Sequence, residues 1–377
     1  MNLTKEVLDY IDDHKQEAFD LLVELAQIPA PSNHEEQRAL FCKKWLEEQG
    51  AEGVYIDEAL NVVYPVDCSG QKPIAVYMAH SDVVFPDTGK LPLEIREGRI
   101  YCPGVGDDTG NAAALLMAAK FIAEKKLQPK EHGILLVINS GEEGLGNLKG
   151  CRKIFECYGS RVKEFTTFDL GAYTLYDRAV GSRRFSIEVR TQGGHSLNDF
   201  GRPNAIACLS SIISTLYALK VPEMGRTTYN VGTIQGGTSV NTIAQHAQML
   251  FEFRSDERES LDMMQGHLDR ILNEYRAQGL DISCTVVGDR PCSGQVDGKA
   301  QQELSDRAAL AVKTWFGWEP VRRAASTDCN IPLSLGIPSV CIGCLLGEGE
   351  HTRQEYVEIE SLHPGLKVCF QLVLHHI

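Results

Sequence analysis

Between residues 74 and 168 the sequence alternates short apolar runs with segments of helical length, and each apolar run stops at a cluster of polar and acidic residues. Residues 74–79 and 134–138 are short and uniformly apolar, so they read as strands buried on both faces, and 165–168, Phe-Thr-Thr-Phe, reads as a further strand. Residues 111–123 and 148–155 between them read as helices. This alternation predicts an α/β fold, a mostly parallel sheet flanked by helices. Upstream, Val7, Leu8, Ile11, Ala18, Leu22 and Leu25 keep a helical spacing over 4–26 until Pro29 and Pro31 end it. Ser32-Asn33-His34-Glu35 then has the form of a capping box opening a second helix through Leu40 and Leu46, closed by Gly50.

The rhythm changes near Ala179. Strand patterns at 185–190, 229–234, 247–253 and 282–287 and helical patterns at 204–219 and 261–275 follow the order βαββαβ, that of a ferredoxin-like α+β unit. After Pro291 the earlier alternation resumes with a helix at 302–316 and a strand at 339–342. A chain of 377 residues accommodates two domains. The expected organisation is one discontinuous domain, 1–178 with 289–377, interrupted by an inserted domain, 179–288.

Composition narrows the function. Lys and Arg number 37 against 51 Asp and Glu, a net charge of −14, without a basic run. That disfavours nucleic acid and anionic membrane surfaces as partners. No apolar stretch approaches the roughly 18 residues of a membrane helix, and the polar opening Met1-Asn2-Leu3-Thr4-Lys5-Glu6 lacks an export signal's apolar region. A cytoplasmic protein with reduced thiols is the expectation. Cys341-x-x-Cys344 has no second pair to complete a zinc ribbon and lies in the apolar run after Pro338, so both read as structural cysteines.

Chemistry-bearing residues gather where the strands end: His80-Ser81-Asp82, Gly106-Asp107-Asp108-Thr109-Gly110, Ser140-Gly141-Glu142-Glu143-Gly144 and Asp169. Ligands of open parallel sheets bind beyond the carboxyl ends of strands, so His80, Asp82, Asp107, Glu142, Glu143 and Asp169 can converge on one crevice. Acids gathered without basic partners repel one another unless a cation lies among them. Imidazole with carboxylate suits zinc, with manganese or cobalt as alternatives. A carboxylate bridging two ions would place an activated water between them. Of the adjacent Glu142 and Glu143, one can bind metal while the other accepts the water's proton. Singly, each motif is ordinary: a surface histidine, acids capping a helix, a solvated turn. Their succession at four element ends is not. A dinucleotide site is disfavoured, because Gly104-x-Gly106 lacks the required spacing and two aspartates would repel a pyrophosphate.

In this order the motifs resemble those of the dizinc exopeptidases of peptidase family M20, which includes peptidase T, glutamate carboxypeptidase, aminoacylase and succinyl-diaminopimelate desuccinylase. The resemblance implies two divalent ions, zinc first, held by His80, Asp107, Glu143, Asp169 and His351, the last from Glu350-His351-Thr352-x-x-Glu355-Tyr356. It implies Asp107 as the bridging ligand, Asp82 orienting His80, and Glu142 as general base. Gly193-Gly194-His195-Ser196 resembles a lid segment whose histidine reaches a neighbouring subunit, and Asn241 and Arg254 match substrate-binding positions. Ser326-Thr327-Asp328 resembles the family's Ser-x-Asp loop. The implied fold is zinc-exopeptidase-like, with the inserted unit as lid and dimerisation domain of a homodimer. The implied reaction is hydrolysis of a terminal amide bond in a small peptide, tripeptidase or aminopeptidase-like. Deacylation of N-acyl amino acids and carboxypeptidase activity are the alternatives, and a non-catalytic binding protein is disfavoured because no ligand or base is missing. Thr109 stands where many members carry Lys, which leaves the subgroup open.

Overall fold

The computed structural model describes residues 3–377. It divides into two compact units, Met1–Ala179 with Gly294–Ile377, and Val180–Ser293. The first is built on an eight-stranded sheet in the order Tyr55–Ile56, Val62–Val66, Gly133–Asn139, Ile74–His80, Val162–Thr167, Ser339–Ile342, Thr174–Ala179, Val321–Ala325. The four strands from Gly133–Asn139 to Ser339–Ile342 run parallel. Val62–Val66 joins them antiparallel on one side and Thr174–Ala179 on the other.

Every residue of Ile74–His80 and Gly133–Asn139 is buried, and strand alternation splits their side chains between two cores. Ala75, Tyr77, Ala79, Leu136 and Ile138 face the core that holds Leu22, Leu115, Val312 and Phe370 from four helices, Lys5–Ala26, Gly110–Glu124, Gly298–Phe316 and Ile359–Val373. Val76, Met78, Leu135 and Val137 face the other, packed by Ile154 and Phe155 of helix Lys149–Tyr158. Helix Gly110–Glu124 is buried from Gly110 to Ala123, as expected of a helix apolar on all sides. Its single charge within that stretch, Lys120, pairs with Glu17 and Glu124.

The structure adds elements that the sequence pattern does not announce. Thr174–Ala179 and Val321–Ala325 are strands at the sheet margin, only partly buried and half polar. Helix Ile359–Val373 contains Pro364. It packs so tightly that a Cβ on Gly365 would lie 1.5 Å from the Cys344 carbonyl oxygen. The expected capping box does not form. Helix Glu36–Glu48 has no side-chain cap; Ser32 donates instead to Asp82 at 2.7 Å, and Glu35 accepts from Gly141 N at 3.0 Å.

The inserted unit is a four-stranded antiparallel sheet in the order Thr227–Gly236, His246–Ser255, Gly181–Arg190, Asp281–Arg290. Helices Ala205–Tyr217 and Arg258–Ala277 cover one face, where Phe185, Ile187, Phe251 and Phe253 meet Leu209, Ile212, Met264 and Leu268. The connection order is the ferredoxin-like βαββαβ. Residue 288 is not its end: strand Asp281–Arg290 continues, with Arg290 paired to Ser182, and the compact unit closes at Ser293. No described helix is long and apolar enough to cross a membrane.

Candidate metal centre

His80 is the last residue of its central strand. Glu142 and Glu143 follow Gly133–Asn139, and Asp169 follows Val162–Thr167. The parallel strands therefore deliver these side chains to one sheet edge. Asp107 and Asp108, joined by a cis peptide bond, enter from the turn Val105–Thr109 ahead of the buried helix. That turn is tied down by Glu355, whose carboxylate accepts from Gly104 N, Gly106 N and Asp107 N at 2.7–2.9 Å. Gly104 has φ 75°, and a Cβ there would lie 2.2 Å from Val83 Cγ1.

Asp107 stands between two histidines. Its Oδ1 is 2.9 Å from His80 Nε2 and its Oδ2 is 3.2 Å from His351 Nε2. Asp169 Oδ1 lies 3.7 Å from His80 Nε2, and Glu143 Oε1 lies 2.8 Å from His351 Nε2. Donor atoms of His80, Asp107 and Glu143 all lie within 4.8 Å of one another, as do those of His80, Asp108 and Asp169. The Asp108 oxygens already accept the His80 main-chain N–H and the Asn111 amide, at 2.8 and 2.7 Å. His80 Nδ1 donates to the Asp82 carbonyl oxygen at 3.0 Å, which leaves Nε2 to face the carboxylates. The Asp82 carboxylate accepts from Glu142 N and Glu143 N at 2.9 and 3.0 Å. Half-exposed His351 sits at φ 63°, in a loop that Arg353 anchors through two bonds to Asp87 and a stack on Phe85.

The electrostatics are those of a site short of positive charge. Burial opposes protonation of His80, yet Asp108, Asp107, Asp169 and Asp82 around it hold its pKa well above the usual imidazole value. Hydrogen bonds to Asp107 and Glu143 raise His351 to about 11, against burial. Burial pushes Asp108, Glu143 and Asp169 up; Asp107 also feels burial, but His351 and His80 outweigh it and pull it down. Burial likewise pushes Glu355 up to about 7, against its three amide donors. The donor set suits divalent ions: His80 comes together with Asp107 and Glu143 and with Asp108 and Asp169, and His351 faces Asp107 and Glu143. Asp169 Oδ1, buried and without a hydrogen-bond partner among the described residues, is an acceptor that such an ion would satisfy.

The other expected residues lie in the inserted unit. Gly194–His195 pairs with Thr242–Ile243, and Ser196 N donates to the Asn241 carbonyl oxygen at 3.0 Å, so His195 and Asn241 are neighbours. A cleft of about 600 Å³ beside this hairpin is lined by Gly194, Gly236, Gly237, Thr238, Thr242 and Gln245. His195 Nδ1 accepts from Leu197 N at 3.2 Å, which places the ring proton on exposed Nε2. Arg254 is not brought to them. It pairs with Ser182 and Thr228, whereas Gly236 pairs with Ala247 seven residues back along the strand, a separation of about 23 Å at 3.3 Å per residue. Its guanidinium is engaged by Glu252 at 3.0 and 3.1 Å. The sequence pattern left Ser32, Glu35, Arg38 and Asn111 outside the site, and only Glu355, within the His351 motif, had any local signal.

A parallel-sheet unit with a buried histidine and carboxylate cluster beyond its strand ends defines a metal-binding hydrolase of peptide or amide bonds. Residues 76–375 match the model of Peptidase family M20/M25/M40, and the chain belongs to that family. It is 26% identical over 339 residues to a succinyl-diaminopimelate desuccinylase of Paraburkholderia xenovorans (strain LB400), covering 83% of this chain and 85% of the relative. It is also 26% identical over 350 residues to an acetylornithine deacetylase of Myxococcus xanthus, covering 88% and 87%. Its fold is similar to that of a tripeptidase from Staphylococcus aureus, with a TM-score of 0.75 and 22% identity over 95% of this chain and 97% of the other.

Proposed function

We propose that this chain is a dinuclear-metal exopeptidase that removes a terminal residue from small unblocked peptides, tripeptides above all. The observation that carries the reading is Asp107, with one oxygen toward each of two histidines and the Glu142-Glu143 turn beside it. Zinc is the metal proposed, with manganese or cobalt as alternatives. When bound, such ions polarise a carbonyl and acidify water. The chain's own residues do the rest. Glu142 takes the proton from water and returns it to the leaving amine, while Asp82 fixes the main chain of both glutamates. His195, with its proton on Nε2, donates to the developing oxyanion from the partner subunit of a homodimer. Asn241 acts beside it. Arg254 offers a fork for a substrate carboxylate, which requires displacement of Glu252. All twelve cysteines are free, which supports a reducing, cytoplasmic setting.

Asp rather than Glu at position 169 favours the aminopeptidase type by resemblance. The second reading, deacylation of N-acyl amino acids, is supported by the names of the two sequence relatives. Assay of tripeptides, dipeptides and N-acetyl amino acids with zinc, manganese and cobalt separates the two. Cleavage of unblocked tripeptides is expected; turnover confined to N-acetyl amino acids would make the chain a deacylase.

A further inference from the structure

Three side chains spaced three residues apart, Ser32, Glu35 and Arg38, reach three of the loops that carry the proposed ligands and base. Ser32 Oγ donates to Asp82 Oδ2 at 2.7 Å, the carboxylate that also holds Glu142 N and Glu143 N. Glu35, fully buried, accepts from Gly141 N at 3.0 Å and Asn33 N at 2.8 Å, and pairs with Lys149 at 3.0 Å. It thus fixes the turn immediately before Glu142. Arg38 is also fully buried. Its Nη1 donates both to the Ser81 carbonyl oxygen, between His80 and Asp82, and to Thr109 Oγ1, just past Asp107-Asp108, at 2.8 and 3.0 Å. Its Nε and Nη2 hold the Ile28 and Ala26 carbonyl oxygens at 2.8 and 3.4 Å.

Arg38 makes no ion pair among the described residues, and each of these bonds ends on a neutral oxygen. A guanidinium buried without a carboxylate is costly to desolvate, and here its Nη1 adds a bridge between two loops that His80 also ties to Asp107 and Asp108. A lysine, with its donors at one point, could take the two oxygens that Nη1 bonds but could not also hold the Ile28 and Ala26 carbonyl oxygens that fix the side chain from behind.

We infer that Ser32, Glu35 and Arg38 are positioning residues: a clasp at the start of helix Glu36–Glu48 that sets the 80–82, 107–109 and 140–143 loops in register for metal binding. The inference rests on the metal-centre reading proposed above, and Thr109, the departure from the family pattern, becomes the hydroxyl that Arg38 grips.

Calorimetric titration of the chelator-stripped chain with zinc tests it, alongside thermal melts of the stripped variants. Arg38→Lys and Glu35→Gln are expected to weaken zinc binding about 10–100-fold, the range for residues that orient ligands from behind. Ser32→Ala, a partly exposed position, is expected to fold normally and to weaken binding in the wild-type background. In an Asp82→Asn background it should add no further loss, because its effect passes through that carboxylate. Zinc affinity within about twofold of wild type for both Ser32→Ala and Arg38→Lys would overturn the clasp, as would an undiminished Ser32→Ala effect in the Asp82→Asn background. Should Arg38→Lys not fold, the Ser32 and Asp82 cycle alone decides. A wild-type chain that binds no zinc would instead remove the metal-centre reading, and the clasp with it.

Discussion

The roles proposed for the adjacent Glu142 and Glu143 differ although the residue type does not. Asp82 holds both main-chain amides, and Glu143 meets His351 at 2.8 Å. Glu142→Gln is therefore expected to retain zinc and lose about 10²–10⁴-fold in kcat, since an amide accepts no proton. Glu143→Gln should lower zinc content instead, and elemental analysis beside steady-state kinetics distinguishes the two. A second prediction at this scale lies far from the metal centre. Burial, then Arg307 and His376, depress His375 from 6.5 to about 4. Glu164 is lowered from 4.5 to about 2: burial opposes this, but His376 and Arg307 prevail. Between pH 6.5 and 4 the unfolded chain binds a proton at His375 that the folded chain refuses, so stability falls as pH drops through that window. Glu164 adds a second loss from pH 4.5 toward 2. Thermal melts should show His375→Asn losing less than wild type between pH 6.5 and 4, with the lower step intact.

Elements differ in how closely their neighbours approach, and glycines in two helices expose the difference. Gly365 in Ile359–Val373 faces the Cys344 carbonyl oxygen, where a Cβ would sit at 1.5 Å, while Gly266 in Arg258–Ala277 has nothing within 4 Å. Gly365→Ala should destabilise by about 1–3 kcal/mol or more through overpacking. Gly266→Ala should stabilise by about 0.5–1 kcal/mol through helix propensity. Chemical denaturation midpoints of the two variants would carry opposite signs. The same contrast explains what the sequence pattern concealed. A helix with Pro364 and Gly365 near its start does not read as one from periodicity, yet it packs against Gly110–Glu124 and Lys5–Ala26, and the missing side chain at Gly365 lets its backbone meet that of Cys344. The Ser32-x-x-Glu35 spacing reads as a cap, but each side chain finds a partner 50 or more residues away.

At the scale of the whole molecule, His195 and Asn241 lie at one end of the inserted sheet and Arg254 at the other, beside the strand start at Ser182. One small substrate cannot meet both within a single inserted unit. In the homodimer proposed above, His195 would come from the partner subunit. Mixing inactive Glu142→Gln with inactive His195→Ala chains should restore activity, because the mixed dimer holds one site with an intact glutamate and an intact partner histidine. Absence of recovery after confirmed subunit exchange would confine His195 to its own chain or to no catalytic role.

What the sequence by itself determined was the alternation of doubly buried strands and helices, the inserted βαββαβ unit, and the histidines and acids stationed at strand ends. These were legible because burial on both faces demands unbroken apolar runs, and because residues that would repel one another stand out when they recur at successive element ends. Only the tertiary structure decided which side chains hold that cluster in place. Glu355 grips Gly106 across 249 residues of chain, and Arg38 grips Ser81 across 43. Their acceptors and donors are main-chain carbonyls and amides, which every residue type carries, so no pattern of side chains marks the pairing until the fold brings the two segments together.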